Sequence, residues 1–229
     1  MLETIANMLI VSFLWLIFSL PVLTIVPASA ALFHTLSKVV FPPGKGNGVF
    51  KVFFESYKEN LVIGIKLNLL IILMVLITAE GLWTGYQIWR INIWGMLYMM
   101  LGIIIAFVVI TAIVHIPPVL SYFEAPVSSV IRMAVYFAIR KPLRSVLFTL
   151  LFVLMIYFIE AFPLALLIVP ALYGDLIRAP LNRDFMIFAK ENNLETDNSE
   201  EISEEEEIIS EQSTYDLDRK LNKKEKNKK

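Results

Sequence analysis

A water-soluble chain of 229 residues would fold as one or two domains, but 57% of this one is apolar, with 16 Phe and only 18% charged residues, more apolar than such a domain needs. The net charge of −1 hides a division: residues 1–190 hold 13 Lys/Arg against 8 Asp/Glu, whereas residues 191–229 hold 7 against 13. The absence of cysteine excludes disulfides, thiol catalysis and thiolate metal sites, and the composition points to a membrane protein.

From the N-terminus, the first apolar stretch lacks a basic leader and follows Glu3, so it is expected as a retained span rather than a cleaved signal. A crossing needs about 20 apolar residues, and the first lies near 7–26. Pro21 should kink it, and Pro27 should open a new helix at its first position. Beyond Pro27, Leu32, Leu36, Val39 and Val40 recur at helical spacing with His34, Ser37 and Lys38 on the other side, which predicts a helix lying in the membrane interface. The stripe Phe50, Phe53, Phe54, Tyr57 and Leu61, opposite Lys51, Glu55 and Lys58, predicts a second such helix.

Spans follow near 61–79 and 94–116, joined by a loop surrounded by Trp83, Tyr86, Trp89, Trp94 and Tyr98, as amphipathic rings settle at headgroup level. Pro117 and Pro118 should end the third span. Behind Pro126 a helix should set Val127, Val130, Ile131, Ala134 and Ala138 on one face and Arg132, Tyr136 and Arg140 on another. The apolar block 143–177, about 52 Å long if a single helix, is interrupted by Glu160 and Pro163. It divides into crossings near 143–160 and 163–177; without the last, the chain crosses four times.

Lys and Arg orient the set, because short cytoplasmic loops carry their excess. Lys38, Lys45, Lys51 and Lys58 place the loop 27–60 in the cytoplasm, as Arg132, Arg140 and Lys141 do for 117–142, while 80–93 holds only Arg90 and faces out. Arg178, Arg183 and Lys190 favour a cytoplasmic C-terminus, which requires the fifth crossing. The expectation is an all-α, polytopic membrane protein, with about five transmembrane helices and cytoplasmic amphipathic interfacial helices in residues 1–190. Residues 191–229 are expected as a disordered tail, acidic in "EEISEEEEIISE" and then basic in "RKLNKKEKNKK".

The "FLWLIFSLPVLTI" of the first span with "PASAALF" after it, then "FFESYKENL", then "YFEAPVSSVIRMAVYFAIRKPLRSVL", occur in an order that resembles the YesL-like family of bacterial integral membrane proteins, a domain of unknown function. The resemblance covers roughly residues 1–185. It departs at Ser12, where the family pattern has Asn, and at Val26, where Gly usually follows the Thr-Ile pair. The resemblance implies a multi-pass protein of the bacterial cell membrane and an accessory role beside carbohydrate-uptake transporters, with a sugar-transporter subunit or a membrane signalling protein as partner. It carries no catalytic residue across.

The residues themselves offer little chemistry. His34 and His115 are the two histidines, and no metalloprotease, nucleophile-elbow or phosphate-loop motif occurs. No enzyme activity, cofactor, metal or nucleic-acid partner is expected. Ionisable groups at membrane depth are functional candidates. Lys66, His115 and Glu80 read as span-boundary residues, which leaves Glu160 and Asp175, on either side of the Pro163 break, as a candidate polar membrane site. Arg132, Tyr136 and Arg140 form a candidate partner-docking face. Two readings follow: an accessory or regulatory protein acting through its cytoplasmic helices in carbohydrate uptake or sensing, or a small oligomeric transporter or channel with Glu160 and Asp175 in its path.

Overall fold

The computed structural model describes residues 2–40, 48–90, 92–123 and 125–192; the expected tail lies outside the described residues from 193 onward. The protein is an all-α membrane protein. Among the described residues its helices are α1 (Leu2–Ser19), α2 (Ile25–Thr35), α3 (Val49–Trp89), α4 (Ile93–Tyr122), α5 (Val127–Arg140), α6 (Pro142–Ala161) and α7 (Val169–Asn192). Short turns of tighter helix at Val22–Thr24 and Pro163–Leu167 separate α1 from α2 and α6 from α7, and a wider turn, Leu36–Val40, extends α2. Among the described residues, four segments are long and apolar enough to cross a membrane: Val22–Val40, α3, α4 and α6.

The first break falls at Pro21, which cannot donate to the helix ladder and whose ring crowds the preceding turn. α1 therefore stops at Ser19, short of the expected end near Pro27. In hydrocarbon the freed carbonyls need partners, and side chains supply them. Thr24 Oγ1 donates to the carbonyl oxygens of Phe18 and Pro21, each at 2.7 Å, and Asn68 Nδ2 of α3 donates to Val22 O at 2.7 Å. Pro27 sits at the third position of α2, where any other residue's N–H would have no intrahelical partner.

The segment expected to lie on the membrane surface is instead the centre of the protein. Ala28, Ala30, Ala31, Leu36 and Val40 are fully enclosed, and α2 touches α1, α3, α4 and α7. Small residues let backbones approach closely; Thr35, bonded to Ala31 O at 2.7 Å, is buried, and even His34, Ser37 and Lys38 of the expected polar side are half-buried.

The Phe stripe does not form a separate helix. It is the beginning of α3, whose 41 residues run unbroken for about 62 Å. Phe53 is buried against Phe18, with ring centroids 5.7 Å apart, and Tyr57 lies 4.7 Å from the same ring; Phe50 and Phe54 remain exposed. Exposed large apolar side chains then run along α3 from Leu69 to Trp89, along α4 from Ile93 to Val108 and along α6 from Leu143 to Phe158. On α3 that band is about 30 Å long, the thickness of the hydrocarbon layer. Trp83, Tyr86, Trp89, Trp94 and Tyr98 are all exposed around the α3–α4 turn. The turn itself is tight: a Cβ on Gly95 would fall 2.1 Å from Trp89 N.

Pro117 and Pro118 do not end α4. The helix continues to Tyr122, with Phe123 N closing onto Val119 O at 3.0 Å. The prolines remove two ladder bonds, but Ile116, Pro118, Val119 and Leu120 are buried on all sides, and packing holds the course that propensity alone would break. α5 then joins α4 to α6 and buries Val130, Ala134 and Phe137. Phe137, which the sequence reading left out of that face, stands 4.7 Å from Phe185 and 5.2 Å from Phe188 of α7 in an aromatic cluster with Phe123.

Candidate functional site

Glu160 is exposed in the last turn of α6, and Asp175 lies two turns into α7, bonded to Arg178 at 3.2 Å. The stretch 163–177 that carries Asp175 is a five-residue turn followed by the first nine residues of α7. Among the described residues, neither carboxylate lines the cavity that the break creates.

That cavity has a volume of about 390 Å³. Both helix breaks border it, through Val22 and Ile25 on one side and Ile159 and Pro170 on the other, and Trp15, Ile72, Ile113, Val114 and Phe152 complete much of the wall. Two of its polar side chains are committed: Ser29 accepts from Trp15 Nε1 at 3.0 Å, and Asn68 supports the Val22 carbonyl. The α7 side is fixed from α1, where buried Ser12 accepts from Ala171 N at 3.2 Å and so satisfies a first-turn amide that the helix cannot. The sequence reading weighed only ionisable groups and passed over Asn68, Ser29 and Ser12. An amide inside the apolar run "IKLNLLIIL" was the signal available.

His115, expected at a span boundary, is enclosed between helices. It is 1% exposed and stands between α4 and α6, with Nδ1 2.8 Å from Thr111 O and Nε2 3.4 Å from Ser145 Oγ. Ser145 Oγ donates to Ala138 O at 2.9 Å, and the hydroxyls of Thr111 and Thr149 meet at 3.4 Å one turn further on. These contacts form a polar seam that joins the helices where apolar contacts gain nothing over lipid. Ser145 already uses its proton on a backbone carbonyl, so its hydroxyl is not donated to the histidine.

At the other candidate site, α7 returns beside α6 and its second half docks on α5. Asp184, only 13% exposed in its side chain, accepts from Lys141 and from Arg144, the latter at 3.1 Å. Arg140 donates to both oxygens of Glu191 at 3.4 Å, which raises the guanidinium further above its ordinary value. Tyr136 lies under Arg140 at 5.5 Å and packs on Phe188 at 5.1 Å. Two members of the expected docking face are thus held partly by α7, whereas Arg132 is exposed and bonded within α5, to Ser128 O at 3.3 Å. What α5 leaves open is Arg132, Val135, one side of Tyr136 and Ile139, the last 71% exposed.

At the α4–α5 connection, a second cavity of about 590 Å³ is more polar and is lined in part by His34, Ser56, Glu59, Asn60 and Ser121.

Residues 8–81, from within α1 to within α3, match the family model described as "Protein of unknown function, DUF624", the family to which the YesL-like proteins belong. No curated protein and no solved structure matches the chain.

Proposed function

We propose that this chain with its DUF624 segment is a non-enzymatic accessory or regulatory membrane protein, which engages another membrane protein through the open face of α5. The observation that carries the reading is the alternation on that face. Arg132 and Arg140 flank exposed Val135, Tyr136 and Ile139, and basic and apolar groups in one patch suit a partner surface with an acidic rim and an apolar centre. The aromatic cluster and the Asp184 pairs behind α5 make it a firm platform. The lysines and arginines of this end favour a cytoplasmic position, in a multi-pass arrangement of about five crossings in the bacterial cell membrane. Association with carbohydrate uptake or sensing, through a sugar-transporter subunit or a signalling protein, rests on the YesL-like resemblance alone.

The second reading, a small oligomeric transporter or channel, has one observation in its favour: two interrupted helices meet at one cavity, as at transporter binding sites. Against it, among the described residues the cavity walls hold no carboxylate, basic side chain or histidine to replace the hydration of an ion.

Co-purification in mild detergent decides between them. Arg132→Glu with Ile139→Glu should release a partner that the unmodified chain retains, and Glu160→Gln with Asp175→Asn should retain it. Solute flux in liposomes holding only this protein, lost in the carboxylate pair, would overturn the accessory reading.

A further inference from the structure

The cavity between the helix breaks serves neither the packing of the bundle nor the α5 face. At about 390 Å³ it lies within the size range of sites that enclose small molecules, and it exceeds the roughly 150 Å³ apolar void that stays dry in a soluble protein and takes up benzene. Water gains little here. Ser29 and Asn68 already hold Trp15 and the Val22 carbonyl, and the Tyr173 hydroxyl is sealed within the protein without a hydrogen-bond partner. An occupant must therefore satisfy shape and dispersion alone.

The medium at the mouth decides which occupant that is. Val22, Ile25 and Ile156 on the rim are 61%, 38% and 50% exposed. Exposed Leu69 and Leu70 on α3 and Val153 on α6 lie two or three residues from the lining residues Ile71, Ile72 and Ile156, so the exposed apolar band of both helices runs up to the cavity. At that height the surroundings are hydrocarbon, present at a concentration no soluble ligand reaches.

We propose that the cavity is a binding site for an acyl chain of a bilayer phospholipid, which enters past Val22, Ile25 and Ile156 and lies between the two helix breaks. The prolines create the space, since Pro21 and Pro163 stop two helices that would otherwise close it, and the side-chain bonds of Thr24, Asn68 and Ser12 keep it open. The site goes beyond the α5 reading and stands or falls without it.

Trp15 is a native reporter on the wall. With Trp83→Phe, Trp89→Phe and Trp94→Phe it is the sole tryptophan of the chain's 4. In vesicles of phosphatidylcholine brominated at mid-chain, Trp15 should be strongly quenched, and Ile72→Phe with Ile156→Phe, which fill the cavity, should reduce the quenching at least three-fold. Equal quenching in the filled variant would overturn the proposal, as would stronger quenching by aqueous acrylamide. In the otherwise unmodified chain, a phospholipid with a diazirine at mid-chain should crosslink to residues 71–72 and 113–117 above the level at Ile103–Ile105 on the outer band. Crosslinks confined to the outer band would equally reject it.

Discussion

Pro27 sits in a notch that Gly64 leaves on α3: a Cβ at residue 64 would lie 2.7 Å from Pro27 Cδ and 2.8 Å from its Cβ. The proline ring is rigid and buried, so neither side can yield. Gly64→Ala should therefore cost about 1–3 kcal/mol, as overpacking does, and lower the unfolding temperature in detergent. Gly81→Ala on the same helix is the control. Its nearest neighbour is Tyr98 Oη at 3.9 Å, and the gain in helix propensity, up to about 1 kcal/mol, should leave stability equal or higher.

The seam between α4 and α6 should be measurable as a pairwise coupling. A double-mutant cycle with His115→Ala and Ser145→Ala, read by reversible unfolding in mixed micelles, should return roughly 0.6 kcal/mol, the usual size for polar contacts between membrane helices. The 3.4 Å separation argues against a larger value, and a coupling of zero would show that the two side chains are merely adjacent.

The two acidic contacts of α7 should differ in weight. Asp184 is mostly enclosed and meets two cations, whereas Glu191 is half exposed. Charge-assisted bonds contribute about 1.5–3 kcal/mol when shielded; with Lys141 and Arg144 partly in solvent, Asp184→Asn should cost about 1 kcal/mol. Hydrogen exchange of residues 184–192 should accelerate in that variant and stay near normal in Glu191→Gln.

The orientation can be read by labelling single cysteines in this cysteine-free chain. Gln87→Cys and Glu55→Cys are both exposed positions, near opposite ends of α3. An impermeant maleimide should reach residue 87 in intact cells and residue 55 only after permeabilisation; the reverse pattern would invert the topology. Gly85 is unsuited to this purpose, because a side chain there would press on Tyr98 at 2.9 Å.

What the sequence made legible was governed by local rules. Spans longer than about 20 apolar residues, the aromatic ring at the α3–α4 turn and the apolar face of α5 follow from length, amphipathicity and period. The errors share another cause. Pro21 stops a helix whereas Pro117 and Pro118 do not, and the difference lies in the buried contacts of Ile116 and Val119, which no window of sequence displays. Likewise "PASAALF" is rich in small residues as a surface helix could be, yet Pro27 packs on Gly64, and Leu32 and Leu36 on Gly174, contacts with residues 37 and 147 positions beyond Pro27. Glu160 and Asp175 were singled out by charge, but the cavity formed around neutral Asn68 and Ser29.

The unbroken length of α3 has a mechanical consequence. About 20 residues, Val49 to Asn68, precede the exposed apolar stretch from Leu69 to Trp89, and no proline interrupts the rod. A tilt of about 10° about its middle would sweep each end through roughly 5 Å, so a change in bilayer thickness that tips the helix would displace Phe53 against Phe18 by more than the gap between packed rings. The membrane's own dimensions could in this way be transmitted, as leverage, to the surface on which α2 and α5 rest.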